Sequence, residues 1–221
     1  MGRVWTQTRL ELLLMFRYRF APLALGLGLM AGLLVRAFFS PEQRALALPL
    51  GLVTGIGGTG LFLSATLLWL ERREGAWGLL KASPLKTKEY LAGKFFSAAL
   101  VFIGFGLASG IGALGVQALF HLPGLILLGF AQTGWGLYFA LKRPAMGDFI
   151  FPALGLVFLY QLPGMGLLAG WPIWFLRLLP GYGPLSLMLW PDRTEGWLLS
   201  FGWAFFAYWM AAQALRSDGR A

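Results

Sequence analysis

The sequence predicts an all-α integral membrane protein whose helices cross the bilayer six times. Of the 221 residues, 58% are apolar and only 12% are charged, and the apolar residues come in long runs. A soluble domain of this length carries roughly twice that share of charged residues. Runs of about 20 apolar residues are long enough to cross a bilayer as helices. We therefore expect residues 1–221 to form a single transmembrane domain.

Five apolar stretches account for the six predicted spans. They cover residues 20–35, 45–70, 95–141, 149–176 and 196–215. The longest stretch is too long for one span, and His121, Pro123 and Gly124 divide it into spans three and four. Arg36, just after the first stretch, can extend its charged end to the lipid headgroups. An even number of spans places both termini on the same side of the membrane.

The distribution of lysine and arginine gives the orientation. Fourteen of these residues lie in the termini and in the loops on the same side as the termini. The opposite side has four: Arg36, Arg44, Arg177 and Arg193. Because positive charges concentrate on the cytoplasmic side, we expect a multi-pass protein of the cytoplasmic membrane with both termini inside. The predicted outer interface also has an aromatic belt: Trp171, Trp174, Trp190 and Trp197.

Two segments are not expected to span. Residues 1–18 predict an amphipathic helix that lies along the inner membrane surface. Its apolar arc consists of Val4, Trp5, Leu12, Met15 and Phe16. Residues 171–191 are apolar but contain four prolines, which a straight helix tolerates badly. We expect this segment to form a re-entrant or interfacial hairpin on the outer side.

Several classes of protein are excluded or disfavoured. The chain has no cysteine and one histidine, which excludes thiol catalysis and a multi-histidine metal centre, so no metal site is predicted. It has no P-loop motif for ATP hydrolysis and no cluster of catalytic groups, so we do not expect an enzyme. The span interiors lack Asp and Glu, which weighs against an ion-coupled carrier. The net charge is +9, but the positive residues lie between apolar runs and form no continuous basic stripe. Nucleic acid is therefore not an expected partner.

The cytoplasmic loop at residues 71–94 is the strongest functional candidate. Glu71 and Glu74 are suited to the start of a short helix over residues 71–83, and Pro84 ends it. Trp77 and Leu80 would then present apolar groups at the inner membrane face. Such a helix is typical of a docking element, and the alternative is a solvated loop whose tryptophan enters the headgroup region.

This loop resembles the first cytoplasmic loop of ABC-2 type transporter permeases. The matching residues are Glu71, Arg72, Gly75, Leu80, Ser83, Pro84, Glu89, Gly93 and Lys94, and the departures are Arg73, Ala76 and Gly78. In that family the loop contains a coupling helix that seats on a separate ATPase subunit, which binds ATP and magnesium. The resemblance implies an ABC ATPase and a second or sister permease as partners, with membrane lipid around them, and no cofactor in this chain. It also implies a set of coupling residues: Glu71, Arg72, Glu74, Gly75, Trp77, Leu80, Ser83 and Pro84.

A second pattern precedes the last span. Pro180, Tyr182 and Pro184 form a P-x-Y-x-P turn that resembles the small fluoroquinolone-export permeases within ABC-2. The turn could close the pathway on the outer side, or it could be an ordinary structural turn. Polar residues within or near the spans either line the pathway or form interhelical hydrogen bonds: Gln117, Gln132, Tyr160 and Gln161.

These observations favour the membrane subunit of an ABC exporter for a hydrophobic or amphipathic substrate, either a drug or a lipid-like molecule. One alternative is a permease of the haem-exporter B type. Another is a non-transporting membrane scaffold that docks a cytoplasmic partner through residues 71–94. The glycine pairs Gly51/Gly55 and Gly106/Gly110 favour helix packing within one subunit over a dimer seam.

Overall fold

The computed structural model describes residues 2–54, 58–75, 86–143 and 145–217. These ranges contain helices and turns and no strand. Four of their helical stretches are long and apolar enough to cross a membrane: Phe20–Phe38, Lys88–Lys142, Met146–Leu168 and Thr194–Leu215. The all-helical membrane fold is therefore confirmed at this level. The Lys88–Lys142 stretch has 55 residues, enough for two crossings.

Ten α-helices and one 3-10 helix are present in the described ranges. The first five are α1 (Gly2–Arg17), α2 (Phe20–Phe38), α3 (Pro41–Thr54), α4 (Thr59–Arg73) and α5 (Thr87–Leu114). The 3-10 helix η1 (Gly115–His121) follows. The remaining helices are α6 (Leu122–Lys142), α7 (Met146–Leu168), α8 (Ile173–Leu176), α9 (Tyr182–Leu189) and α10 (Thr194–Leu215).

Helix α6 lies at the centre of the bundle, between α4, α5, α9 and α10. Small residues on it allow close packing. A Cβ at Gly134 would lie 2.9 Å from the backbone of Ala207 in α10, and one at Gly136 would overlap Leu61 in α4. Close backbone approach of this kind is how helices associate in lipid, where burial of apolar surface gives little driving force.

Helices α2 and α5 also cross at glycines. Side chains at Gly28 and Gly32 would overlap the carbonyl oxygens of Phe105 and Ser109. The Ser109 hydroxyl donates a hydrogen bond to the Gly28 carbonyl at 2.9 Å. On other sides of α5, Gly106 faces Leu125 and Gly110 faces Ala118 of the same chain. Gly106 and Gly110 thus pack within the subunit, as the sequence favoured.

The stretch predicted as span two, residues 45–70, does not lie in a single described helix. The structure has two helices there, α3 and α4, and Gly58 lies in a turn before α4 begins at Thr59. Residues 51–60 contain five glycines, each of which weakens a helix by about 1 kcal/mol relative to alanine. An apolar run predicts that a segment enters the membrane, but it does not reveal where glycines interrupt the helix.

The charged loop is shorter than the predicted 71–94. Helix α4 continues through Arg73, so Glu71 lies in its last turn rather than at the start of a new helix. Helix α5 begins at Thr87, which places Gly93 and Lys94 inside it. The Glu89 carboxylate accepts a hydrogen bond from the Lys86 backbone N–H at 2.9 Å and so caps the start of α5.

The stretch predicted as span five, residues 149–176, also ends early. Helix α7 stops at Leu168, and Gly170 follows with a positive φ of 71°, a common way to end a helix. One helical turn, α8, comes next, and then α9, in which Tyr182 to Met188 are all buried. No continuous helix crosses residues 171–191. Helix α9 instead packs between α10, α6 and α3.

The α2–α5 crossing gives a stability prediction. Gly32→Ala should lower the midpoint of thermal unfolding in detergent by several degrees, because the new methyl group would meet backbone rather than a movable side chain. Gly26 lies on the same helix with nothing within 4 Å of its Cβ position, so Gly26→Ala is the matched control and should be neutral or slightly stabilising. Equal midpoints for the two variants would contradict the crossing.

Candidate functional site

The site begins with the face that α1 turns toward the bundle. Thr8, Glu11 and Met15 recur at helical spacing and are buried, whereas Trp5 and Phe16 are more than half exposed. The predicted apolar arc is therefore divided: Met15 packs inward, and the two aromatic residues face outward. This outward face suits contact with lipid, while the inward face brings one carboxylate, Glu11, against the bundle.

Gly93 determines how closely α1 approaches α5. A Cβ at Gly93 would lie 2.9 Å from the Cβ of Gln7, closer than real side chains pack. The absence of a side chain lets α1 cross directly over α5. The next residue, Lys94, then reaches across to Glu11, 83 positions earlier in the sequence.

Lys94 is the centre of a buried charged cluster. Its ammonium donates to both carboxylate oxygens of Glu11 at 3.2 Å and to Oε1 of Glu71. The exposed fractions of the three side chains are 2% for Lys94, 5% for Glu11 and 18% for Glu71. Since each residue comes from a different helix, the Glu11–Lys94–Glu71 cluster joins α5 to α1 and α4.

Further hydrogen bonds satisfy the two carboxylates. Gln7 donates to Oε1 of Glu11 at 3.0 Å, and the Tyr90 hydroxyl donates to Oε2 of Glu71. Burial raises the pKa of Glu11; the Lys94 charge lowers it and the neighbouring Glu71 charge raises it, leaving the pKa above its ordinary value. Buried charges persist only when they are paired and hydrogen-bonded in this way.

The end of α4 is fixed on its other side by α6. Arg72 donates to the Ala140 carbonyl at 2.9 Å, and the Trp69 indole donates to the Arg143 carbonyl at 3.3 Å. Helix α4 ends at Arg73, and Gly75, two residues later, has a positive φ of 73°. The charged loop therefore departs from a base held by α1, α5 and α6.

The predicted coupling residues divide into two groups. Glu71 and Arg72 are held at the base of the loop, and Glu74 and Gly75 are exposed where α4 ends. The other four, Trp77, Leu80, Ser83 and Pro84, lie outside the described residues, so their role stays a prediction. Sequence reasoning missed Glu11, although a single acid among the arginines of an amphipathic helix was a usable signal.

The predicted outer-gate residues pack against α7 and α10. Pro180, Tyr182 and Pro184 are buried, and the Tyr182 hydroxyl donates to Glu195 at 3.3 Å. A Cβ at Gly181 would overlap the carbonyl of Tyr160, so the chain just before α9 lies directly against α7.

The predicted pathway residues lie in different surroundings. Gln132 and Tyr160 are each 1% exposed, on α6 and α7 respectively, and Gln161 is partly buried. Gln117 is exposed on η1 at the end of the bundle.

The fold and this site define a multi-pass helical membrane protein whose charged loop has a buried ionic base. A comparison with known protein-family models finds no match. The chain is 29% identical over 194 residues to the fluoroquinolones export permease proteins of two Mycobacterium tuberculosis strains, CDC 1551 and H37Rv. Each match covers 85% of this chain and 80% of the relative. The resemblance to fluoroquinolone-export permeases is therefore confirmed.

The cluster generates a prediction about charge balance. Lys94→Met should cost about 3–5 kcal/mol of stability, because it leaves two buried carboxylates without their cation. Lys88→Met, on the exposed side of the same helix, should stay within about 0.5 kcal/mol of the unsubstituted protein. Thermal unfolding in detergent measures both variants.

A triple variant tests whether charge is the cause. Lys94→Met combined with Glu11→Gln and Glu71→Gln removes all three charges and should recover much of the loss. If Lys94→Met unfolds at the same temperature as Lys88→Met, the cluster does not hold these helices together.

Proposed function

We propose that this chain is the membrane-spanning subunit of an ABC exporter, driven by ATP that a separate subunit hydrolyses. The observation that carries the proposal is the similarity to the fluoroquinolones export permease proteins over 85% of the chain. The name of those relatives supports a drug as the exported substrate. The chain would work as a dimer, with a second copy or a sister permease.

The proposed topology has six crossings and cytoplasmic termini. Helices α3 and α4 together would form the second crossing, since their 14 and 15 residues are each too short to cross alone. Helices α2, α5, α6, α7 and α10 would form the others. The fourteen-to-four division of lysine and arginine supports this orientation.

Cysteine labelling tests the orientation, because the chain has no cysteine of its own. In intact cells, an impermeant thiol reagent should label Gln43→Cys, in the exposed turn at the start of α3, and should not label Ser217→Cys. After lysis, both should react, which controls for accessibility. The opposite pattern in intact cells would reverse the proposed topology.

Coupling to the ATPase would pass through the loop that follows α4. The Glu11–Lys94–Glu71 cluster supports this role, because it holds the loop base, α1 and α5 as one unit. A displacement at the loop would then move the cytoplasmic ends of α4 and α5 together. Without such a connection, the loop would deform when the ATPase moved, and the spans would stay in place.

An apolar pocket between α2, α4 and α5 supports a hydrophobic substrate. It encloses about 250 Å³, and its lining includes Phe62, Phe102 and Phe105 together with Thr59 and Thr66. Sites for drug-like molecules are typically lined by aromatic groups with a few polar ones. The buried helix α9 would close the pathway at its outer end.

The coupling proposal predicts the effect of Trp77→Ala. Removing an aromatic anchor from an interface typically costs more than about 2 kcal/mol, or roughly thirtyfold in affinity. Trp77→Ala should therefore weaken ATPase binding clearly and lower ATP-dependent transport in vesicles, both normalised to inserted protein. Trp174→Ala is the matched control, since Trp174 is exposed and lies at the proposed outer face.

Full binding and full transport by Trp77→Ala would remove the loop from the coupling role. The scaffold alternative gives a different result: Trp77→Ala would release a partner, but the unsubstituted protein would show no ATP-driven flux. Measuring both quantities on the same preparation therefore distinguishes the two functions.

A further inference from the structure

A second feature of the bundle, apart from the charged loop base, is a cleft between the start of α5 and the end of α10. Its volume is about 690 Å³. Three cations line one part of the cleft: Lys86, Lys88 and Arg216. Three aromatic and three aliphatic residues line the rest: Phe205, Tyr208, Trp209, Leu91, Ala212 and Leu215.

The three cations have no carboxylate partner among the described residues. The ion pairs found there join Lys94, Arg177 and Arg193 to acids elsewhere. Glu89 is the acid nearest in sequence to Lys88, and its carboxylate already accepts the Lys86 backbone N–H. Within the part of the chain that the structure describes, these three positive charges are therefore available to an anion.

The apolar part of the cleft follows one face of α10. Phe205, Trp209, Ala212 and Arg216 are spaced by four, three and four residues, so they share that face. Phe205 is 72% exposed and Trp209 is 45% exposed, which leaves this face open to the outside of the bundle. Tyr208 forms the floor and is fixed edge-to-face against Phe95, with the ring centroids 5.1 Å apart.

The dimensions of this face fit a membrane lipid. The eleven-residue separation of Phe205 and Arg216 corresponds to roughly 16 Å along a helix. This length is close to half the hydrocarbon thickness of a bilayer, which is about 30 Å. A molecule with an anionic head at the cations and an apolar tail along Phe205 and Trp209 matches the cleft in charge and in length.

We propose that the cleft binds one anionic phospholipid of the cytoplasmic leaflet, with its phosphate at Lys86, Lys88 and Arg216 and an acyl chain along α10. The assignment to this leaflet rests on the proposed topology. Basic pockets between spans on the cytoplasmic side suit anionic headgroups. Each cation contributes about fivefold to the affinity for an anionic lipid.

Native mass spectrometry of the purified protein tests the proposal. The probes are phosphatidylglycerol and phosphatidylcholine with the same acyl chains, titrated separately into a neutral detergent. The unsubstituted protein should retain one phosphatidylglycerol at least tenfold more tightly than phosphatidylcholine. The double variant Lys88→Gln/Arg216→Gln should lose that preference and keep its unfolding temperature.

A matched control removes two cations elsewhere. Arg9→Gln/Arg17→Gln has the same net charge, and both residues are exposed on α1, away from the cleft lining. This variant should keep the preference for phosphatidylglycerol. If both double variants lose the preference for phosphatidylglycerol equally, the overall charge of the protein attracts the lipid and the proposed site is wrong. The site is also wrong if the unsubstituted protein shows no preference.

Two further measurements separate a lipid from a simple anion. Trp209→Ala should weaken the binding of both lipids because it removes contact with the acyl chain. The ratio of the two affinities should stay the same. Inorganic phosphate should displace phosphatidylglycerol only at far higher concentration. Displacement at comparable concentrations would indicate an ion site and overturn the proposal. No ATPase is needed for these measurements, so failure here leaves the transport proposal unaffected.

Discussion

The burial of one ammonium group constrains the end of the bundle where α1, the end of α4 and the start of α5 meet. Lys94 is 2% exposed, and a lysine in that position is tolerated only if carboxylates neutralise it. Glu11 and Glu71 are the carboxylates that do so. For both to reach Lys94, α1 must lie across α5 at Gly93, and α4 must continue past its apolar stretch to Glu71. The paths of three helices thus follow from one electrostatic requirement.

In the apolar part of the bundle, the helices associate through close packing at small residues rather than through ion pairs. Glycines on α6 allow α4 and α10 to approach closely, and glycines on α2 allow the same for α5. The Ser109 hydroxyl adds a hydrogen bond where α2 and α5 cross. These contacts suit lipid surroundings, because close packing there replaces the burial of apolar surface that drives soluble folding.

The sequence predicted the segments that obey a local rule. The predicted ranges 20–35 and 196–215 correspond to α2 and α10. A helix that crosses lipid needs a long uncharged stretch, and such a stretch can be recognised directly in the sequence. The division of residues 95–141 near His121 matches the turn at η1. Local rules failed for Lys94, which was placed at the end of the loop 71–94, whereas the structure buries it inside α5. Its partner Glu11 lies 83 residues away, and no local pattern connects the two.

If this chain is the permease proposed above, the ion pairs of Lys94 with Glu11 and Glu71 carry motion from the end of α4 to α1 and α5. The triple variant Lys94→Met, Glu11→Gln and Glu71→Gln removes these ion pairs and should keep much of the stability. The measurement is ATP-driven transport in vesicles, normalised to folded protein, with ATP hydrolysis recorded on the same preparation. Transport by the triple variant should fall while ATP hydrolysis continues, because the loop would then move without the spans. Transport equal to that of the unsubstituted protein would show that the three helices need no ionic connection.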